Sequence, residues 1–298
     1  MRDPFREGLA AGWKHVDASQ LAVDLPIEAD VVIIGSGAGG GVTAEILTAN
    51  GLKVVIVEEG PLRTSSDFKM REAEAYPDLY QESAARKTAD KSINILQGRC
   101  VGGSTTVNWT SSFRTPPRTL QWWQSAWGLK RLGVDAMAPW FAAMEQRLHV
   151  GLWPIPPNEN NAALARGAAQ LGIPVAVIPR NVKMCWNLGY CGMGCPTNAK
   201  QSMLLTTLPA ALTKGATLIS RLRAERLEFS GDKAVSLTAV AMKADGIHPS
   251  GVKVTLRARH FVLAGGAVNS PALLLRSKAI DPHGLLGKRT FLHPTLIS

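Results

Sequence analysis

The pattern of apolar and polar positions is clearest between residues 28 and 60. Residues 30–34 (DVVII) and residues 53–57 (KVVIV) are apolar runs rich in β-branched side chains. Such runs predict parallel strands that are buried on both faces of a sheet. Between them, Val42–Asn50 has the composition of a helix, and Gly51 stands where that helix would end. The order of strand, helix and strand predicts a βαβ unit in an α/β domain.

A glycine-rich loop joins the first strand to the helix. Residues 35–40 (GSGAGG) fit the pattern G-x-G-x-x-G. In that pattern Gly35 allows the tight turn, Gly37 lets the backbone approach a pyrophosphate, and Gly40 lets the helix pack closely against the strand. The N–H groups at the start of the helix would then face the phosphates. Glu58, at the end of the second strand, is placed to accept hydrogen bonds from both ribose hydroxyls. The unit predicts a dinucleotide site without separating FAD from NAD.

A second small-residue loop lies far from the first, at residues 98–108 (GRCVGGSTTVN). Gly102 and Gly103 would let the backbone contact a flat ring or a phosphate, and Ser104 and Asn108 offer polar contacts. An NAD-binding fold does not need such a loop, whereas a longer cofactor extended across the domain would use it. Taken alone, the segment is equally an ordinary turn.

These loops together resemble the glucose–methanol–choline (GMC) oxidoreductases. Residues 57–60 (VEEG) end the nucleotide unit as in that family, and residues 98–108 are similar to its first signature. Residues 265–275 (GGAVNSPALLL) resemble its second signature, and residues 286–294 (LGKRTFLHP) resemble a block that closes over the flavin. The chain departs from the family pattern at two places. Lys278-Ala279 stand where the family usually has glycine, and the aromatic residue expected soon after Asn108 is displaced to Phe113.

The resemblance implies a Rossmann-like FAD-binding domain with an inserted substrate or cap region, the GMC fold, and FAD as the cofactor. With the two loops it gives eleven predicted cofactor contacts and no metal ligand. The contacts are Gly35, Gly37, Gly40, Glu58, Arg99, Gly102, Gly103, Ser104, Asn108, Ala224 and Gly265. The alternatives are an NAD-dependent dehydrogenase and a non-catalytic flavin-binding or electron-relay module.

The composition of the chain changes near residue 115, which suggests its domain organisation. Seven of the eight tryptophans lie between residues 109 and 186, where prolines are also frequent. We interpret residues 116–200 as the substrate or cap region, and residues 20–115 with 201–298 as a discontinuous FAD-binding domain. The tryptophans are expected to pack in a core and a lid. The patterns predict helices at Met137–His149 and Ala162–Leu171 and strands at Ala216–Phe229 and Val252–Leu263.

The net charge of +10, from 33 basic and 23 acidic residues, changes this picture little. The basic residues are scattered, which favours a solvated surface over a nucleic-acid partner, and they could steer an anionic cofactor. No uncharged apolar run reaches the roughly 18 residues of a membrane helix. The first residues lack the apolar core of a secretory signal, so a cytoplasmic location is expected, with membrane association or export through a partner left open.

Three cysteines fall close together, with the spacing C-x5-C-x3-C: Cys185, Cys191 and Cys195. Three thiols in a glycine-rich turn could ligate a metal or an iron–sulfur cluster. No fourth ligand lies nearby, so a thiol-rich turn or a disulfide is predicted instead. Cys100, inside the second loop, is interpreted as a small packing residue.

The family resemblance also implies a reaction. An alcohol or sugar carbon would give hydride to flavin N5 while a histidine, paired with histidine or asparagine, takes the hydroxyl proton. That base is expected beyond the last matched block, so the chain is interpreted as an N-terminal portion that is inactive alone. His293 lies in the flavin-covering block and is not assigned as the base. The expected partners are a small alcohol or sugar and, as an alternative to oxygen, an electron-acceptor protein.

Overall fold

The computed structural model describes residues 2–291; Met1 and residues 292–298 lie outside it. The chain forms nine α-helices, four short 3-10 helices and nine strands within the described residues; the α-helices and strands position the site. In chain order they are α1 (Pro4–Ala10), β1 (Lys14–Asp17), β2 (Leu25–Ile34), α2 (Ala38–Ala49), β3 (Val54–Val57), α3 (Glu72–Leu79), α4 (Ser104–Val107), α5 (Pro117–Trp127), α6 (Val134–Arg147), β4 (Val150–Leu152), α7 (Glu159–Gln170), β5 (Pro179–Asn181), α8 (Thr207–Thr213), β6 (Thr217–Ser220), β7 (Leu222–Ser230), β8 (Lys233–Met242), β9 (Pro249–Leu263) and α9 (Gly266–Arg276).

A seven-stranded sheet forms the centre of the molecule, with the strand order β1-β6-β3-β2-β9-β8-β7. The first five strands are parallel, and β8 and β7 are antiparallel to their neighbours. β2 lies at the centre, where Val31–Ile34 pair with β3 on one side and β9 on the other. Val32 and Ile33 are fully buried because both faces of the sheet are covered. The predicted Rossmann-like α/β fold is confirmed.

The central strands end side by side, and this positions the cleft. The N–H of Gly35 donates to the carbonyl of Val57 at 2.8 Å, and the N–H of Ala264 donates to the carbonyl of Ile34 at 2.8 Å. The ends of β2, β3 and β9 therefore form one edge. In open α/β sheets, ligands bind in the crevice outside this edge.

The strand predicted at Ala216–Phe229 is in fact two strands, so that prediction is wrong. β6 inserts between β1 and β3, whereas β7 lies at the opposite edge of the sheet beside β8. Arg221 separates them in a left-handed conformation (φ 53°). Its N–H donates to the carbonyl of Gly60, which redirects the chain. A hydrophobicity pattern does not report the backbone φ of one residue, so it merges the two strands into one.

Helices α5, α6 and α7 and the antiparallel pair of strands β4 and β5 lie in the chain between β3 and β6. Leu120 is the only buried residue of these three helices. Five tryptophans of this part of the chain are 53–66% exposed: Trp109, Trp122, Trp127, Trp140 and Trp186. Their expected core packing is therefore wrong, because no described segment covers them.

Among residues 2–291, no helix is both long and apolar enough to cross a membrane.

Candidate functional site

A cleft of about 620 Å³ opens at the edge where β2, β3 and β9 end. One wall is the first glycine loop with the start of α2, and the floor is the end of β3 at Glu58 and Glu59. The second glycine loop and α9 complete the walls. Two backbone loops of small residues thus face one elongated space.

The first loop brings the start of α2 to the cleft. A Cβ atom on Gly40 would collide with the carbonyl oxygen of Gly35, so only glycine lets the helix begin this close to the strand. Gly37, Ala38 and Gly39 line the cleft. The first turn of α2 carries no acidic residue and no side-chain cap, so its N–H groups are available to an anion.

The second loop reaches the first at Gly103. This residue has a positive φ (φ 55°, ψ −147°), and a Cβ atom on it would lie 2.8 Å from Gly37 Cα. Next to this contact, the N–H of Gly102 donates to Ser36 Oγ at 3.0 Å. Any larger side chain at position 103 would push the two loops apart.

Glu58 is buried beneath the loops and organises them. Its Oε2 accepts hydrogen bonds from the Ser36 N–H (3.0 Å) and hydroxyl (2.5 Å), and its Oε1 accepts one from the Gly60 N–H (2.9 Å). Burial raises the pKa of the Glu58 carboxyl, an effect that these hydrogen bonds oppose. A carboxylate has about four acceptor positions, so Glu58 retains capacity for a ligand hydroxyl in the cleft.

Arg86 joins two distant segments at the cleft, and the sequence analysis missed it. Its Nη1 donates to Gln97 Oε1 at 2.9 Å and to Asn269 Oδ1 at 3.2 Å. It thereby connects residues 81–98 to α9. The segment around Arg86 has no glycine pattern or signature, so only the basic side chain itself could have drawn attention to it.

The structure brings seven of the eleven predicted contacts to the cleft walls, and the other four do not line the cleft. Those at the walls are Gly35, Gly37, Glu58, Gly103, Ser104, Ala224 and Gly265; the others are Gly40, Arg99, Gly102 and Asn108. The guanidinium of Arg99 points away, towards the carbonyls of Gly246 and Pro77. Among the wall residues that the sequence analysis missed are Glu59, Gln81, Arg86, Gln97, Arg223, Asn269 and Arg276.

The family model described as GMC oxidoreductase matches residues 76–295. The chain belongs to the GMC oxidoreductase family.

Several GMC relatives cover most of this chain. The chain is 32% identical to the long-chain-alcohol oxidase FAO4B of Arabidopsis thaliana over 91% of its own length and 37% of the relative's. It is 32% identical to an uncharacterised GMC-type oxidoreductase of Sinorhizobium fredii, over 93% and 54% respectively. The structure of pyridoxine 4-oxidase from Mesorbium loti superposes with a TM-score of 0.65 at 23% identity, over 84% of this chain and 52% of that one. The chain thus spans about half the length of these relatives, or less.

The matched part is the FAD-binding domain of the GMC family, and the cleft fits that cofactor. Anion-accepting N–H groups, a carboxylate at the strand end and a close backbone approach are what a dinucleotide needs. Of the predicted flavin-covering block at residues 286–294, Leu292, His293 and Pro294 lie outside the described residues.

The cysteine segment adjoins the second loop through Lys200. This buried ammonium donates to the carbonyls of Thr106, Asn108 and Cys191 at 2.6–2.9 Å. Burial lowers its pKa to about 8. The four cysteines form no disulfide. Within residues 2–291, no three His, Cys, Asp or Glu side chains are grouped to hold a metal, and the absence of a cluster stays a prediction.

Proposed function

We propose that this GMC chain binds FAD along the cleft with its adenosine towards Glu58 and its flavin towards Gly103 and Gly265. The meeting of the two glycine loops carries the proposal. Gly103 lies against Gly37, so the first loop can hold a pyrophosphate while the second loop contacts what lies beyond it. A cofactor that ended at a nicotinamide would not need the second loop.

We propose further that the protein takes part in the oxidation of CH–OH groups of an alcohol or sugar. Bound FAD supplies the hydride acceptor for that chemistry. The support is family membership together with the relatives, which include a long-chain-alcohol oxidase. The residues of this chain would bind and orient the cofactor. The start of α2 would face the phosphates, Glu58 would bind the ribose, and Gly103 would contact the flavin ring system.

The histidines that the structure describes lie outside the cleft, so none of them is assigned as the catalytic base. His15 bonds to Ser220 Oγ at 2.9 Å, and His248 bonds to Asp245 Oδ2 at 3.0 Å. No histidine within residues 2–291 lines the cleft. A general base must reach the substrate hydroxyl to take its proton. We therefore assign the described residues that line the cleft to cofactor binding, and none of the described histidines to removal of the hydroxyl proton.

The proposal also covers the cap region, the cellular location and the electron acceptor. Residues 116–200 would form the substrate or cap region, and the exposed tryptophans there would meet the substrate or its cover. Unpaired cysteines suit a reducing compartment such as the cytoplasm. The electron acceptor would be oxygen or a partner protein.

Cofactor identity is tested first, by titrating ligand-free protein with FAD and with NADH. FAD should bind stoichiometrically, as shown by quenched flavin fluorescence, and NADH should not compete. Binding of NADH without FAD would instead support an NAD-dependent dehydrogenase. Bleaching of the bound flavin by an alcohol or sugar without oxygen supports the reaction. Flavin that no such compound bleaches favours a non-catalytic flavin-binding module for this chain.

A further inference from the structure

Arg276 ends α9 at one extreme of the cleft, where the backbone of β7 holds its side chain. Its Nε donates to the carbonyl of Glu225 at 3.3 Å, and its Nη2 donates to the carbonyl of Ala224 at 3.2 Å. Two successive carbonyls thus fix the plane of the guanidinium. Arginine has five N–H donors, so three remain free on a side chain that lines the cleft.

The neighbours of Arg276 show which end of the cleft this is. β7 begins beside the end of β3, since the N–H of Leu222 donates to the carbonyl of Glu58 at 2.9 Å. Arg276 and Glu58 therefore lie at the same end. The start of α9 lies at the other end, where Gln97 Nε2 donates to the carbonyl of Gly265 at 3.5 Å.

Helix α9 runs along the cleft between these two ends. The residues of one face line the space: Gly266, Asn269, Ser270, Leu273 and Arg276. Eleven residues of α-helix span about 16 Å, so α9 separates the two ends by the length of an extended ligand rather than a compact one.

The charges at this end favour a neutral partner for Arg276. Glu58 and Glu59 both line the floor there, and two acidic side chains disfavour an additional phosphate. The adjacent Arg223 is ion-paired with Glu225 at 2.9 Å, whereas Arg276 forms no ion pair within residues 2–291. A planar guanidinium with free donors suits a flat ring with nitrogen acceptors, which it can meet by stacking or hydrogen bonding.

We propose that Arg276 contacts the adenine of the bound dinucleotide and makes the site selective for FAD over FMN. This inference rests on the proposed binding of FAD in the cleft. The backbone carbonyls of Ala224 and Glu225 orient Arg276, and Glu58 takes the adjacent ribose. Lysine cannot replace it, because one ammonium does not reproduce a plane held at two carbonyls.

The test compares FAD and FMN affinities, by flavin fluorescence, in the wild-type protein and in Arg276→Ala and Arg276→Lys. FMN lacks the adenosine monophosphate half of FAD. Both variants should lose about tenfold in FAD affinity, the scale of one or two hydrogen bonds from a charged group, with FMN affinity unchanged. Arg226→Ala is the matched control: this exposed arginine of β7 pairs with Glu228 and does not line the cleft.

The outcomes separate the two proposals. A wild-type protein that does not bind FAD overturns the proposed function, and the role of Arg276 with it. If both variants bind FAD as tightly as the wild-type protein does, the role of Arg276 is overturned and the proposed function is not. Equal losses for FAD and FMN also overturn it, since they indicate general damage to the cleft. Thermal melting of the ligand-free proteins shows which variants are folded. If Arg276→Ala is not folded, the FAD and FMN affinities of Arg276→Lys test the role of Arg276.

Discussion

The hydroxyl of Ser36 donates a hydrogen bond to Glu58 Oε2 at 2.5 Å. The same hydroxyl accepts one from the N–H of Gly102 at 3.0 Å. A single buried side chain therefore connects the end of β3, the first glycine loop and the second glycine loop. In the pattern G-x-G-x-x-G, Ser36 occupies a position that the pattern leaves open, yet it joins the two loops on which the cofactor site depends.

Replacing Ser36 with alanine removes both hydrogen bonds and leaves the Gly102 N–H without its partner. We expect the free energy of unfolding to fall by about 1–3 kcal/mol, since a buried donor is left unpaired. Denaturant unfolding measures this. The control is Ser125→Ala, at an exposed serine of α5. Equal stability of the two variants would show that the loops do not depend on Ser36.

Replacing Gly103 with alanine should drive the two glycine loops apart. The new Cβ would lie 2.8 Å from Gly37 Cα, so we expect loss of FAD binding as well as lower stability. Gly128→Ala is a control for a positive φ, because Gly128 has φ 64° and ψ 20° with nothing within 4 Å of its Cβ position. Gly128→Ala carries the strain of a left-handed alanine, about 1–2 kcal/mol. Gly103→Ala carries backbone strain as well, because Gly103 (φ 55°, ψ −147°) lies near a region that is essentially restricted to glycine. Only Gly103→Ala should lose the flavin; retention of full flavin occupancy would contradict this.

Glu58→Ala should weaken FAD binding by about 1–3 kcal/mol, the cost of losing hydrogen bonds to a charged group. Isothermal titration with FAD and with FMN distinguishes two roles of Glu58. If Glu58 binds the adenosine ribose, FMN affinity should change little. Weakening of both ligands alike would mean that Glu58 acts only by shaping the loops through Ser36.

Lys200 should make stability depend on pH in the alkaline range. Burial lowers its pKa from 10.5 to about 8, so between these values the unfolded chain binds more protons than the folded one. The free energy of unfolding should therefore rise with pH across this window. Lys200→Met should remove this rise, and it should also destabilise the protein by leaving three carbonyls without their donor. The exposed Lys214→Met should retain the wild-type slope in denaturant unfolding; identical slopes in all three proteins would refute the assignment.

The sequence alone identified the β2–α2–β3 unit, the role of Gly40 in close packing, and Glu58 at the strand end. These features follow from local causes. A strand buried on both faces must be apolar throughout, and a helix that starts against a strand needs glycine at the contact. The resemblance to the GMC family linked the second loop and residues 265–275 to FAD, and the family match confirmed the resemblance.

Only the tertiary structure decided which distant side chains share the cleft. Arg86 meets Asn269, Ser36 meets Gly102, and Arg276 meets Ala224 because strand order brings their segments to one edge of the sheet. The same order turned Arg99 away from the cleft, although it stands inside a signature. A local sequence pattern shows which residues are apolar and with what period they recur. It does not show that β9 pairs with β2, more than 200 residues away in the chain, and this pairing builds the site.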